Sequence, residues 1–270
     1  FKTLYKGQPY YKYYSTDSTA NYNTRVGDEL FLKGNFKDTI FNRILAKKLR
    51  RKSYKYSDLG YYFIKEIIER VSNQSLEDYV ATSFYKPLGL TTMRYKPKFH
   101  VVDSLIAPTQ VDSVFRNQVV QGYVHDMGAA LLGGVGGHAG VFASGNDLAV
   151  FMQMLLDYGN YGGQQYIDTN VVKSFTARQF PKNRRGAGFD RPVTSLEGGP
   201  TCNRVSHQSF GHTGFTGTMV WSDPKHGINY VFLSNRTYPD MENRKILKMD
   251  IRTKIQAAIY DATKTFNTSL

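Results

Sequence analysis

Apolar positions recur every four residues from Leu59 to Val71, at Leu59, Phe63, Ile67 and Val71, which is the spacing of one helical face. Ser57 or Asp58 fits the cap before this helix, and Asn73 fits its stop. A shorter helix is predicted over Asp38–Leu49, with Ile40, Ile44 and Leu45 turned to the core. Ser75-Leu76-Glu77-Asp78 reads as a capping box for a further helix that ends at Pro87. Ser144-Gly145-Asn146-Asp147 starts another over Leu148–Tyr158, where Phe151, Met152 and Leu155 are core positions. Near the end, Ile246, Ile251, Ile255, Ala258 and Ile259 make Asn243–Ala262 an amphipathic helix suited to covering a sheet.

The rhythm changes between Ser209 and Trp221, where small and β-branched residues alternate with aromatics. A second strand-like run, Ile228–Ser234, follows the turn residues Asp223-Pro224-Lys225-His226-Gly227. Two β-rich runs around a turn predict an antiparallel hairpin. Hairpin plus amphipathic helices give an α+β fold, an antiparallel sheet flanked by helices with a mostly helical region beside it. Residues Phe1–Arg25 are Tyr-, Ser-, Thr- and Asn-rich and read as an irregular surface segment, with Tyr5, Tyr10, Tyr11, Tyr13 and Tyr14 in ordinary loop packing. Tyr161–Ser206, with Arg184-Arg185-Gly186 and Glu197-Gly198-Gly199-Pro200, is turn-rich and predicts short strands and loops. Neither a repeat nor a linker interrupts the chain, so residues 1–270 are expected to form one domain.

Composition removes several function classes. Hydrophobic residues make up 41% of the chain, which argues against disorder. No apolar run approaches the roughly 18 residues of a membrane span. Cys202 stands alone, which excludes an internal disulfide and a Cys-based zinc site. The net charge of +13 is densest at Lys47, Lys48, Arg50, Arg51 and Lys52, where cations suit the end of the Asp38–Leu49 helix. Such charge attracts anionic polymers non-specifically. No helix-turn-helix, zinc-finger or RNA-binding pattern accompanies it, so a nucleic-acid function is not expected.

The candidate chemistry sits at two places. His212-Thr213-Gly214 lies at the mouth of the hairpin, a basic group, a hydroxyl and a glycine in a row. A strand edge of this kind offers a backbone N–H to an oxyanion. Tyr56-Ser57-Asp58 lies upstream, just before the Leu59–Val71 helix. Together with Lys86-Pro87-Leu88-Gly89-Leu90, Gly137-His138-Ala139-Gly140-Val141-Phe142 and Phe210 through Thr218, these motifs resemble the serine β-lactamase and penicillin-binding-protein superfamily, in its class C and esterase-like branch. The resemblance runs from about Tyr54 to the C-terminal helix. It implies an acyl-enzyme serine hydrolase of the cell envelope, periplasmic or extracellular, without cofactor or metal. Its substrates would be esters, D-amino-acid amides, peptidoglycan peptides or β-lactams.

By this resemblance Tyr56 is the general base or acid, His212 stands where many relatives carry lysine, and Asp58 replaces the usual asparagine. Ser57, Thr213, Gly214 and Phe215 line the substrate, with the Phe215 N–H as one oxyanion donor. A tyrosine with the ordinary pKa of about 10 needs cationic neighbours to act as a base. The aspartate exchanges an amide for an acceptor-only anion, which disfavours an anionic substrate. The family's nucleophile, the serine of Ser-x-x-Lys, precedes the tyrosine motif, and nothing before Tyr56 spells it. The chain is therefore expected to be the latter part of a longer protein whose upstream segment carries the serine.

Other signals are weaker. Ser83-Phe84-Tyr85-Lys86 spells Ser-x-x-Lys, but it follows the tyrosine motif and abuts Pro87-Leu88-Gly89. Ser222-Asp223-Pro224-Lys225 falls in a predicted turn. Gly134-Val135-Gly136-Gly137-His138-Ala139 matches a dinucleotide fingerprint without the strand and βαβ unit it requires. His138 reads as a satisfied loop histidine, and His125-Asp126 as a structural hydrogen bond, since no third metal ligand stands at helical spacing. The competing function is a catalytically silent module that binds ligand or cell wall. Such a module could sit behind a β-N-acetylhexosaminidase-type glycosidase domain, because relatives with the Phe210–Gly217 wording occur in such fusions.

Overall fold

The computed structural model describes residues 4–5, 8–9, 12–48, 54–181, 183–193 and 199–267, with backbone alone for 4–5, 8–9 and 264–267. Arg50, Arg51 and Lys52 of the basic cluster, Leu49, Tyr10, Tyr11, Glu197 and Gly198 lie outside the described residues. By contacts the chain divides into two compact units. The first comprises residues 1–85, 93–142 and 238–240, and the second residues 86–92, 143–237 and 241–270.

The first unit begins with the paired short strands β1 (Leu4–Tyr5) and β2 (Gln8–Pro9). Strands β3 (Tyr14–Ser15), β4 (Tyr22–Gly27) and β5 (Leu30–Lys33) form an antiparallel sheet in the order β3-β5-β4. Order thus reaches into a segment whose sequence reads as irregular. Helices α1 (Phe36–Leu45), α2 (Leu59–Ser72), α3 (Leu76–Val80) and α4 (Met127–Leu131) complete the unit with the antiparallel pairs β6 (Arg94–Tyr95) with β9 (Val141–Phe142), and β7 (Pro108–Asp112) with β8 (Gln118–Gln121). The core gathers Tyr14, Val26, Leu30, Leu32, Phe36, Ile40, Tyr62, Phe115, Val124, Ala129 and Ala130.

Helix α2 starts and stops where the sequence predicts, with Asn73 left-handed (φ 54°). Its buried face differs. Tyr62 and Lys65 are buried, whereas Leu59, Ile67 and Val71 are exposed, Val71 to 83%. Lys65 is buried because Glu69, one turn on, takes its ammonium at 2.7 Å. In α1 Ile40 is buried as expected, but Leu45 is exposed at the helix end. Ser75 caps α3: its Oγ accepts the Asp78 N–H at 3.1 Å and donates to the Asp78 carboxylate at 2.7 Å. The chain then widens into a π-helical turn, Ala81–Tyr85, which contains Ser83.

In the second unit, Ser144 caps α5 (Gly145–Leu156), its Oγ accepting the Asp147 N–H. Short strands β10 (Asn160–Tyr161) and β11 (Gln164–Gln165) pair, and α6 (Thr169–Thr176) follows, a helix that the turn-rich reading of this region misses. Asp168 makes α6 legible afterwards, capping the N–H groups of Asn170 and Val171. The expected two-stranded hairpin is a three-stranded antiparallel meander, β12 (Phe210–Thr213), β13 (Met219–Asp223) and β14 (Ile228–Phe232). The Ser209–Trp221 run breaks because the Gly214 N–H turns back onto the Thr218 carbonyl at 2.8 Å.

Met219, Trp221 and Tyr230 form the core of this sheet, and α5 packs on it, with Asn229 Nδ2 donating to the Ala149 carbonyl at 2.8 Å. The C-terminal helix is two pieces, α7 (Lys245–Lys248) and α8 (Ile251–Asn267), parted at Asp250, whose φ is 52°. Among the side chains described in α8, Gln256 and Tyr260 are buried, while Ile255 and Ile259, read as core, are 41% and 36% exposed. None of the described helices is long and apolar enough to cross a membrane.

Candidate active site

Tyr56 and Ser57 are exposed on an irregular strand of chain that runs into α2, and Ser57 Oγ accepts the Leu59 N–H at 3.2 Å. Asp58 occupies the cap position without a side-chain cap bond. Its carboxylate stands instead beside groups drawn from two other places in the first unit. Asp58, Asp126 and His138 present donor atoms within 4.8 Å of one another. His138 Nε2 lies 2.8 Å from Asp126 Oδ1, which also accepts the Ala129 N–H at 2.7 Å and so caps α4. The Tyr62 ring, one turn into α2, stacks on the His138 imidazole with centroids 4.9 Å apart and planes inclined by 22°.

The electrostatics follow from this crowding. Burial works to raise the Asp126 pKa, but hydrogen bonds from His138 and Ala129, with the charges of His138 and His125, pull it below its usual value. Tyr62 is pushed up to about 12 by burial and by the carboxylates of Asp126 and Asp58. Its hydroxyl therefore stays protonated. The structural bond expected of His125-Asp126 exists, but its partner is His138, twelve residues on. The sequence discounts a metal here for want of a third donor, and the fold brings one from the glycine-rich loop. No spacing rule could have found this trio, because its members meet only through tertiary structure.

Gly128 is a consequence of the same packing. A Cβ added at this helical position would lie 1.9 Å from the Tyr62 hydroxyl oxygen. Exchanging glycine for alanine inside a helix ordinarily stabilises by roughly 0.5–1 kcal/mol. Here the clash decides the sign, and Gly128→Ala is expected to destabilise by about 1–3 kcal/mol, read as a lowered urea midpoint. A raised midpoint would show that Tyr62 is not held where the structure has it.

The second motif belongs to the other unit. His212, Thr213, Gly214 and Phe215 lie at the end of β12 and in the turn toward β13, with His212 opposite Val220 and Thr213 opposite Met219. His212 Nδ1 is 2.8 Å from the Thr213 carbonyl oxygen, an acceptor only, so Nδ1 carries the hydrogen. Nε2 then accepts from Arg185 Nη1 at 3.3 Å. Asp190 holds that guanidinium in a close ion pair, takes Arg184 Nη2 at 3.1 Å, and bonds through its backbone to Gly211. These arginines stand in the turn-rich region, where the sequence shows a basic pair but no reason to place it beside His212.

Phe215 is 63% exposed. The Arg236 guanidinium lies 4.5 Å from its ring centroid, and Arg236 Nε donates to its carbonyl at 2.7 Å. Ser222, from the second apparent Ser-x-x-Lys, is fully buried in β13, which is no place for a nucleophile.

Comparison with known proteins converges on one family. The description of the β-lactamase family matches residues 7–252. A Salmonella gallinarum protein provisionally named a D-alanyl-D-alanine carboxypeptidase is 34% identical over 240 residues, covering 83% of this chain and 55% of that protein. A Salmonella typhi protein of the same provisional name is 35% identical over 204 residues, 71% of this chain and 47% of its own length. The chain thus spans about half the length of the curated relatives it matches. Among solved structures, simvastatin synthase from Aspergillus terreus aligns with a TM-score of 0.59 at 17% identity, covering 85% of this chain and 61% of that one. A Mycobacterium bovis β-lactamase aligns at 0.53 and 22% identity, covering 77% and 63%. At such identities the structures speak for the fold, α+β with antiparallel sheets and helices, while the family match and the Salmonella relatives speak for descent. The chain belongs to the β-lactamase family of serine hydrolases, within the superfamily that includes the penicillin-binding proteins.

Proposed function

We propose that this chain supplies the tyrosine and strand-edge parts of an acyl-transfer site for esters or amides of D-amino acids, with peptidoglycan stem peptides in the cell envelope as the substrate class. Family membership together with Tyr56-Ser57-Asp58 at the mouth of α2 is the observation that carries the reading. The Salmonella relatives' provisional name supports the peptide substrate. The nucleophilic serine would come from a segment outside these 270 residues, since no Ser-x-x-Lys precedes Tyr56.

In this scheme the serine attacks the substrate carbonyl and Tyr56 takes its proton. The Phe215 N–H and the serine's own N–H stabilise the tetrahedral oxyanion, and the proton returns to the leaving amine or alcohol. Water then attacks the acyl-enzyme by the same route in reverse. Beside His212 the guanidiniums of Arg184 and Arg185 share the single Asp190 carboxylate, which leaves this strand edge the positive charge that a substrate carboxylate needs. That no Ser-x-x-Lys stands ahead of Tyr56 is what keeps a silent binding module as the second reading.

A fluorophosphonate or β-lactam probe followed by mass spectrometry separates these. The 270-residue chain alone is expected to remain unlabelled, because acylation needs an activated serine. A longer protein containing this chain is expected to be labelled once, at a serine upstream of Phe1. Stoichiometric labelling of Ser83 would overturn the scheme, and a longer protein that never labels would favour the binding module.

A further inference from the structure

The group around His138 is placed to do more than fill the first unit. Three contacts from the glycine-rich loop and α4 bear on the first turn of α2. His138 stacks on Tyr62, the Asp126–His138 pair stands against the Asp58 carboxylate, and Gly137 meets the α2 backbone so closely that a Cβ there would lie 2.5 Å from the Tyr61 carbonyl oxygen. Tyr56 is two residues before Asp58, and Ser57 is tied to Leu59 by its own hydrogen bond. Whatever fixes this turn fixes where the chain carrying Tyr56 enters the helix. We propose that His138, held by Asp126, is a positioning residue for the Tyr56-Ser57-Asp58 segment.

The imidazole suits the task. It offers a flat face to Tyr62 and a directed N–H to Asp126, and it places hydrogen-bonding and charge capacity between two carboxylates that would otherwise repel across a short gap. His125 and Arg116 also lend positive charge to Asp126, so the pair is set in a field that favours the ionised carboxylate. A divalent cation held by Asp58, Asp126 and His138 is the rival account. The geometry favours the hydrogen-bonded one, because a metal-bound histidine donates its second ring N–H to an acceptor, whereas the buried His138 Nδ1 has no hydrogen-bond partner among the described residues. Asp126 Oδ1 is moreover already engaged by the Ala129 N–H.

The proposal takes its catalytic meaning from the reading of Tyr56 above, but its test does not depend on turnover. Lys55 is exposed beside the motif, and Lys225 is exposed in the β13–β14 turn of the other unit as a control. His138→Ala is expected to raise trypsin cleavage after Lys55 roughly 10-fold while leaving cleavage after Lys225 unchanged, since proteolysis follows the local open population. Added imidazole, or His138→Gln with its amide N–H near the original Nε2, is expected to slow the Lys55 cut again. If cleavage after Lys55 stays at the wild-type rate, or both sites accelerate together in both variants, the positioning role is wrong. It is equally overturned if the wild-type chain takes up stoichiometric zinc that His138→Ala loses. If the Lys55 result holds while Tyr56 proves dispensable for turnover, positioning stands and the catalytic reading of the motif falls.

Discussion

Tyr56→Phe, made in a protein that includes this chain and the proposed upstream serine, is expected to lower kcat on an ester substrate by roughly 100-fold or more. Losing one positioned proton-transfer group costs about 10²–10⁴-fold. The phenyl ring remains, so contacts that bind substrate survive and KM should move little. A fall in kcat without a matching rise in KM marks a group needed in the transition state. The side chain is 55% exposed at the entrance to α2, outside the buried core. Stability should therefore change by no more than about 0.5 kcal/mol, and thermal melts of the two proteins should overlay. Steady-state kinetics decides the matter: a near wild-type rate would remove Tyr56 from the mechanism whatever the family pattern implies.

The largest effect on stability is expected at Asp223, the last residue of β13, which is fully buried. One carboxylate there takes the Ser206 N–H at 2.7 Å, the Ser206 hydroxyl at 2.5 Å, the Lys225 N–H at 3.2 Å, His226 Nδ1 at 2.9 Å and the Tyr260 hydroxyl at 2.8 Å. It joins the sheet to α8 and to the loop before β12. Asp223→Ala leaves the Tyr260 and Ser206 hydroxyls buried without their acceptor, at a cost of about 3–5 kcal/mol. Burial alone would raise the Asp223 pKa, but the bonds from Ser206, His226 and Tyr260 outweigh it and pull the pKa down. Tyr260 is correspondingly pushed up by burial and by the neighbouring carboxylate.

A carboxyl group whose pKa is lower folded than unfolded stabilises the fold in full above its unfolded value of about 3.9. That contribution drains away as the pH falls through the folded value. Wild-type stability should accordingly drop on acidification below about pH 4, and Asp223→Ala should show a shallower drop from a lower starting point. Urea unfolding of both proteins between neutral and acid pH measures this. Parallel acid curves would show that Asp223 does not carry the effect.

Sequence alone determined the parts of this protein that depend on neighbours along the chain. The cap at Ser75, the cap at Ser144 and the stop at Asn73 rest on bonds or backbone preferences spanning a few residues, and they are where the sequence puts them. The Tyr56-Ser57-Asp58 and His212-Thr213-Gly214 motifs, and through them the family, were legible for the same reason: each is a contiguous string.

What the tertiary structure decided is which faces are buried and which groups meet. Periodicity turned Leu59, Ile67 and Val71 of α2 inward, yet Tyr62 and Lys65 are the buried residues, one against His138 and the other against Glu69. In α8 the expected Ile255 and Ile259 gave way to Gln256 and Tyr260, whose polar ends find the Cys202 N–H and Asp223. A hydrophobic pattern ranks side chains by their cost of leaving water, but that cost collapses for a polar group whose partner is already in place. Such partners are distant in sequence. For that reason the Asp58–Asp126–His138 trio and the Arg185–His212 contact are properties of the fold that the order of residues does not display.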